Sequence, residues 1–251
     1  MNPKAESIIS LLSQVTLERR RREVVPGLHA AVLTVKRYQQ RRFMHTYADL
    51  LTTKRFGAAT RFFLDELYGP RDFSQRDAQF VRVVPTLVRL FPSEIVHTVD
   101  MLARLHAVSE SLDTEMGSRV QTDPITRLSY KDAWQSTGRR ADRDLQIGLT
   151  VEIGAALDRY TRQRVLRHTL KLMRGPAKAA GLGELQRFLE SGFDTFREMN
   201  GAQDFLDMVI TRERALAKAL FEARGSAENV GSGNAPDAGS RYFDLLPPDE
   251  P

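Results

Sequence analysis

An all-α helical bundle is the fold this sequence predicts, and three observations predict it. Apolar residues recur at three- and four-residue spacing along nearly the whole chain. No segment alternates apolar and polar residues with the period of a strand. Gly–Pro and Pro–Gly pairs fall where the periodic runs stop. The chain has 251 residues, of which 41% are hydrophobic and 27% charged. That composition suits a soluble globular protein with a substantial core.

The elements follow in order. Ile8, Leu11, Leu12 and Val15 make a short amphipathic helix running into Arg19, Arg20, Arg21 and Arg22. Pro26–Gly27 interrupts it. Leu28, Val32, Val35, Tyr38, Phe43, Tyr47 and Leu51 mark a long helix, and Phe62, Phe63, Leu64 and Leu67 another. The second ends at Gly69–Pro70, since proline lacks an amide proton and glycine is favoured just past a helix end. Ser74 with Asp77 is a capping pattern, Asp72 is an alternative cap, and Phe73 is placed as a hydrophobic staple. Phe80, Val84, Leu87 and Phe91 continue the next helix, with Pro85 inside it as a kink. A further helix starts at Pro92–Ser93–Glu94 and runs to about Met116. Residues 117–124 read as a loop, and 125–136 as a short helix holding the only tryptophan, Trp134. A long helix is expected over 140–174, ending at Gly175–Pro176, then two more over 183–199 and 202–223.

Three parts result: an N-terminal helix with its basic run (1–26), a bundle (27–224) and a tail (225–251). The stretch GSAENVGSGNAPDAGS is expected to be disordered, because it has too little apolar surface to offset its ordering entropy. It leads to RYFDLLPPDEP. There Tyr242, Phe243, Leu245 and Leu246 form a candidate peptide motif that either masks a groove on the bundle or reaches a partner.

RFFLDELYGP at 61–70 aligns with RHTLKLMRGP at 167–176, an offset of 106. Beyond the Gly–Pro an offset of 108 pairs Phe80 with Phe188 and Val88 with Phe196. The bundle is therefore expected to hold two pseudo-symmetric units, 28–116 and 140–223, packed as one domain with equivalent Gly–Pro corners. The chemistry after the corners differs. Tyr68, Arg71, Asp72, Arg76 and Asp77 surround only the first, and they are the candidate ligand-binding set.

The phrases FFLDELYGPRDFSQRD and LMRGPAKAAGLGELQRFLESGF resemble hallmark segments of a family of uncharacterised bacterial all-helical proteins. The likeness spans about residues 28–221. It implies a bacterial, helical protein and carries no catalytic residue across.

The net charge is +5. The tail from Gly225 has one basic and five acidic residues, so the remainder has 36 basic against 27 acidic, or +9. Arg19–Arg22 with Arg37, Arg41 and Arg42 is the nucleic-acid candidate, with Tyr38 and Phe43 as stacking residues. With no cysteine, thiol catalysis, disulfides and Cys-based metal sites are excluded. Glu94 and His97 form an E-x-x-H, the weak metal alternative; the second motif of a di-iron bundle is missing, and Glu152 is the one other carboxylate expected to face inward. His106 and Glu110 are spaced to pair on one helix face. No phosphate loop or nucleophile elbow is present.

The reading is a non-enzymatic cytoplasmic binding or regulatory module, acting through protein contacts or self-association. No cofactor and no membrane span are expected. The first alternative is a helical enzyme or sensor with a ligand, haem or metal between the two units. The second is a nucleic-acid-associated protein.

Overall fold

The computed structural model describes residues 2–66, 70–120, 124–223 and 244–249. All regular structure among them is helical. The expected disorder of 225–240 lies outside these residues, as do Tyr68, Gly69, Tyr242 and Phe243.

α1 (Pro3–Val24) is longer than its apolar core suggested. The Asn2 side chain accepts from Lys4 N, and Pro3 sits in the first turn, where no amide donor is missed. α2 (Leu28–Thr46) begins after Gly27, whose φ of 76° is the left-handed geometry glycine tolerates. The long helix expected here ends early: Tyr47 separates α2 from the single turn α3 (Ala48–Leu51). α4 (Gly57–Glu66) carries the paired phenylalanines into the core.

At α5 (Ser74–Leu90) Phe73 holds the N-cap position, and it is the alternative, Asp72, that accepts from Ser74 N (2.8 Å) and Ser74 Oγ (2.9 Å), while Asp77 is drawn to other partners. Pro85 stays inside α5, on an exposed position. α6 (Ser93–Gly117) opens after Pro92 as predicted. α7 (Arg127–Thr137) has a closed capping box between Thr126 and Ser129 and stops at Gly138, φ 62°.

The helix expected over 140–174 is broken. α8 (Arg140–Thr161) ends before an extended Gln163, and α9 (Arg164–Leu172) follows. Gly175–Pro176 does not end a helix; it lies in the first turn of α10 (Arg174–Ala179), a position where proline costs no hydrogen bond. α11 (Gly183–Glu198) and α12 (Gln203–Glu222) complete the bundle.

α4 ends at Glu66 and α9 at Leu172, an offset of 106; α5 and α6 follow α4, while α10, α11 and α12 follow α9. α2 packs on α6 as α8 packs on α12. Gly175–Pro176 lies inside α10, whereas of the first pair only Pro70 is described, before the start of α5.

One apolar cluster joins Phe43, Tyr47, Phe62, Phe63, Phe196 and Phe205. A second surrounds Tyr38, Tyr130 and Trp134 and includes Leu246 from the C-terminal segment. A third packs α1 on α5 and α6. α5 and α6 are consecutive and antiparallel, yet their arms scarcely touch; α1 bridges them instead. That splayed hairpin positions the site.

Candidate functional site

A cavity of about 320 Å³ fills the space between the arms of the α5–α6 hairpin. Leu12 of α1 walls one side, and Leu170, Leu185, Phe188 and Leu189 of α9 and α11 wall another. Its shape follows from helix phase. Ile95, Val99, Leu102, Ala103, His106, Ser109, Glu110 and Asp113 line it from α6 at three- and four-residue spacing. From Ile95 to Asp113 that face rises about 27 Å, at about 1.5 Å per residue.

The face changes character along its length. From Ile95 to Leu105 it is apolar; from His106 to Asp113 it is polar. α5 mirrors this gradient in the opposite direction, with Arg76 and Asp77 near its start and Phe80, Val83, Leu87 and Phe91 after them. Because the helices are antiparallel, the two polar ends meet. The meeting is direct: His106 Nε2 lies 2.9 Å from Asp77 Oδ2. Phe91 and Leu189, each 40% exposed, mark the apolar mouth.

The polar end is a connected set of buried groups. Arg22 Nη1 lies 2.6 Å from Glu110 Oε2, and Arg22 also donates to Thr114 Oγ1 and to the Glu110 carbonyl. Lys36 Nζ donates to Glu110 Oε1 at 2.7 Å and stands 3.7 Å from Asp113. Burial acts to raise the Glu110 pKa, but Lys36 and Arg22 outweigh it and hold the carboxyl at about 2. Asp113 goes the other way: burial raises it and Lys36 does not compensate. Burial also acts to raise Asp77, yet the His106 hydrogen bond and Arg19, 2.6 Å away, bring it below the usual carboxylate range. Gln146 of α8 donates to Ser109 Oγ and accepts from Arg143.

At the corner, Glu66 is buried between Arg187 (2.9 Å) and Arg76 (3.5 Å). The Arg76 guanidinium lies between the Phe73 and Phe188 rings, 4.0 and 4.4 Å from their centroids. Phe73 is thus a platform for Arg76 rather than an apolar staple. Burial lowers the Arg76 pKa against the pull of Asp77 and Glu66.

Of the candidate corner set, Arg76 and Asp77 line the cavity. Arg71 is exposed, 3.8 Å from Glu66; Asp72 accepts from Ser74 at the start of α5; Tyr68 lies outside the described residues. The expected His106–Glu110 pair does not form, since each has a closer partner on another helix. Glu94, His97 and Glu152 are all exposed. Among the described residues no three His, Asp or Glu side chains are grouped as metal ligands.

The basic run is not a free stripe. Arg22 and Arg42 are buried, Arg42 on Glu213 and Arg22 on Glu110. Arg19 holds Asp77, and Arg21 faces Glu115 at 3.3 Å. Arg41 lies over the Tyr38 ring; Arg20 and Arg37 are exposed. Tyr38 and Phe43 are buried and offer no stacking surface. Helix phase explains the burial: Arg19 and Arg22 extend the spacing of Ile8, Leu12 and Val15, and Arg42 that of Val35 and Tyr38. The cavity residues Lys36, Ser109, Asp113 and Gln146 were not legible as a set, because they come from three helices.

A family model described as a domain of unknown function, DUF8198, matches residues 18–227. The chain belongs to the DUF8198 family. The matched span starts within α1 and holds every described residue that lines the cavity except Leu12. No curated protein and no solved structure matches the chain.

Proposed function

We propose that this chain is a non-enzymatic binding module for an elongated amphiphilic small molecule, taken into the α5–α6 cavity with its polar end at His106–Asp113. The observation that carries this reading is the matched gradient on two antiparallel helices, apolar at the hairpin end and polar at the other. The size suits it. Dry apolar cavities of about 150 Å³ admit benzene, and ligand pockets begin at about 300 Å³.

The polar end favours an uncharged head group. Glu110, Asp77 and Glu66 each have cationic partners within 4 Å. A charged head would enter a buried region whose charges are already balanced. A hydroxyl or amide head can instead hydrogen-bond to Ser109, Gln146, His106 or Asp113. Titration of the full chain with alkyl alcohols, carboxylates and amines of equal length tests this. The alcohol binding at least tenfold tighter supports the reading; the carboxylate or amine binding tighter contradicts the head-group assignment, and no binding by any contradicts the site.

Regulation through protein contacts fits the same cavity. Leu170 of α9 lines it, while Val165 and Leu172 of α9 are 75% and 78% exposed. A ligand that shifts Leu170 shifts an exposed apolar face, which is a surface for a protein partner. The internal pairing of Arg19, Arg21, Arg22 and Arg42 weighs against nucleic acid. No helix among the described residues is long and apolar enough to cross a membrane, and a cytoplasmic setting is part of the proposal.

A further inference from the structure

The C-terminal segment Asp244–Asp249 lies against the end of α2, the start of α7 and a face of α12, and none of its residues lines the cavity. Its contacts have an unusual order. Four successive backbone carbonyls each face a side-chain donor. His45 Nε2 is 2.8 Å from Asp244 O, in the tautomer with its proton on that nitrogen. Thr46 Oγ1 is 2.8 Å from Leu245 O and shares its one proton between that oxygen and Arg42 O. Arg127 donates to Leu246 O from Nη2 and to Pro247 O from Nε. Beyond them, Arg127 N at the first turn of α7 donates to Asp249 Oδ1 at 2.6 Å, a carboxylate on a helix N-terminus.

These contacts from the groove supply donors, and the two acceptor-capable partners, His45 and Thr46, both take the donor role. Such a surface suits a segment with few amide protons, which explains the two prolines: Pro247 and Pro248 have none to leave unsatisfied. Leu246 supplies the apolar anchor. It is 0% exposed, among Val35, Tyr38, Ile125, Tyr130 and Trp134. The fit is incomplete. The Tyr38 hydroxyl and the Trp134 Nε1, both buried in this cluster, have no hydrogen-bond partner among the described residues. Reading of backbone carbonyls, an apolar pocket and an acidic clamp are the parts of a peptide-recognition site.

We propose that the α2–α7–α12 groove is a peptide-reading site for an extended Leu–Pro–acidic segment of another chain, held closed by this chain's own Asp244–Asp249. The cis segment competes at the high effective concentration that a short connection confers, about millimolar. An outside segment therefore enters when the cis segment is detached.

The test uses the full chain and a fluorescent peptide of sequence RYFDLLPPDEP. Leu246→Asp places a charge in the apolar pocket and expels the cis segment. Anisotropy is expected to show the peptide binding this variant at least tenfold tighter than the unaltered chain, and adding Arg127→Ala is expected to weaken it at least tenfold. A second arm avoids any change in the groove: a protease site placed between residues 225 and 240 is cut after purification and the released peptide dialysed away. The cut chain is expected to bind at least tenfold tighter than the intact one. Equal binding by cut and intact chains, or indifference to Arg127→Ala, overturns the proposal.

Discussion

Gly69–Pro70 and Gly175–Pro176 carry the same sequence pattern, yet the helices on either side of them stand in opposite settings. The α4–α5 side is inward. Glu66 is buried, Arg76 is stacked between two rings, and Asp77 reaches across to α6. The α9–α10 side is outward. No side chain described on α9 is buried, and Arg174 pairs with Glu190 in solvent. The cavity lies between a fixed wall and a thin cover. The difference teaches that a shared Gly–Pro pattern does not fix the setting of the helices beside it, while the flanking residues set burial and hence chemistry.

The largest expected effect breaks the fixed wall at its centre. Glu110→Leu removes the one carboxylate shared by Arg22 and Lys36 and leaves two buried cations poorly compensated. A loss of about 3–5 kcal/mol in urea unfolding is expected; a loss below about 1 kcal/mol would mean the network is solvated. Glu66→Gln keeps the shape and removes the charge between Arg76 and Arg187. Its expected cost is smaller, about 1–3 kcal/mol.

Acid should act on the same wall with a defined sign. The folded Glu110 pKa of about 2 lies below the ordinary 4.5. Its contribution is complete above the unfolded value and is lost as pH falls toward 2. Asp113, raised by burial, acts in the opposite sense and partly masks that loss. Stability curves against pH are therefore expected to fall more steeply in Asp113→Asn than in the parent chain. A shallower fall in that variant would reverse the assignment. The smallest effect belongs to the outward corner: Arg174→Ala should leave the unfolding midpoint unchanged, because the Arg174–Glu190 pair stands in water.

Periodicity alone made much of this architecture legible. The starts of α2 and α6, and α7 around Trp134, follow from Pro26–Gly27, Pro92 and the apolar spacing. The break at Gln163 was not legible, since Leu166 and Leu170 continue the phase of α8 while facing a different neighbour. Composition alone reads Arg19–Arg22 as a surface run, whereas the phase of Ile8, Leu12 and Val15 points Arg22 inward. The contrast between the two Gly–Pro stretches singles out Arg76 and Asp77, and both line the cavity. Lys36, Glu110, Asp113 and Gln146 could not be joined to them without knowing that α5 and α6 splay. The cis docking of Leu246 depended on a groove whose walls are 80 residues and more apart in sequence, which local pattern does not encode.

The most direct test of the central claim is to fill the cavity. Val83 lines its apolar half, is half-buried and belongs to none of the packed clusters, so Val83→Phe places a ring toward open space instead of packed core. Binding of an alkyl alcohol by the full chain should be saturable at one site and at least tenfold weaker in Val83→Phe, with thermal stability held or raised. Unchanged affinity would place the ligand elsewhere, and a loss of about 1–3 kcal/mol of stability, the mark of overpacking, would show that there is no cavity to fill.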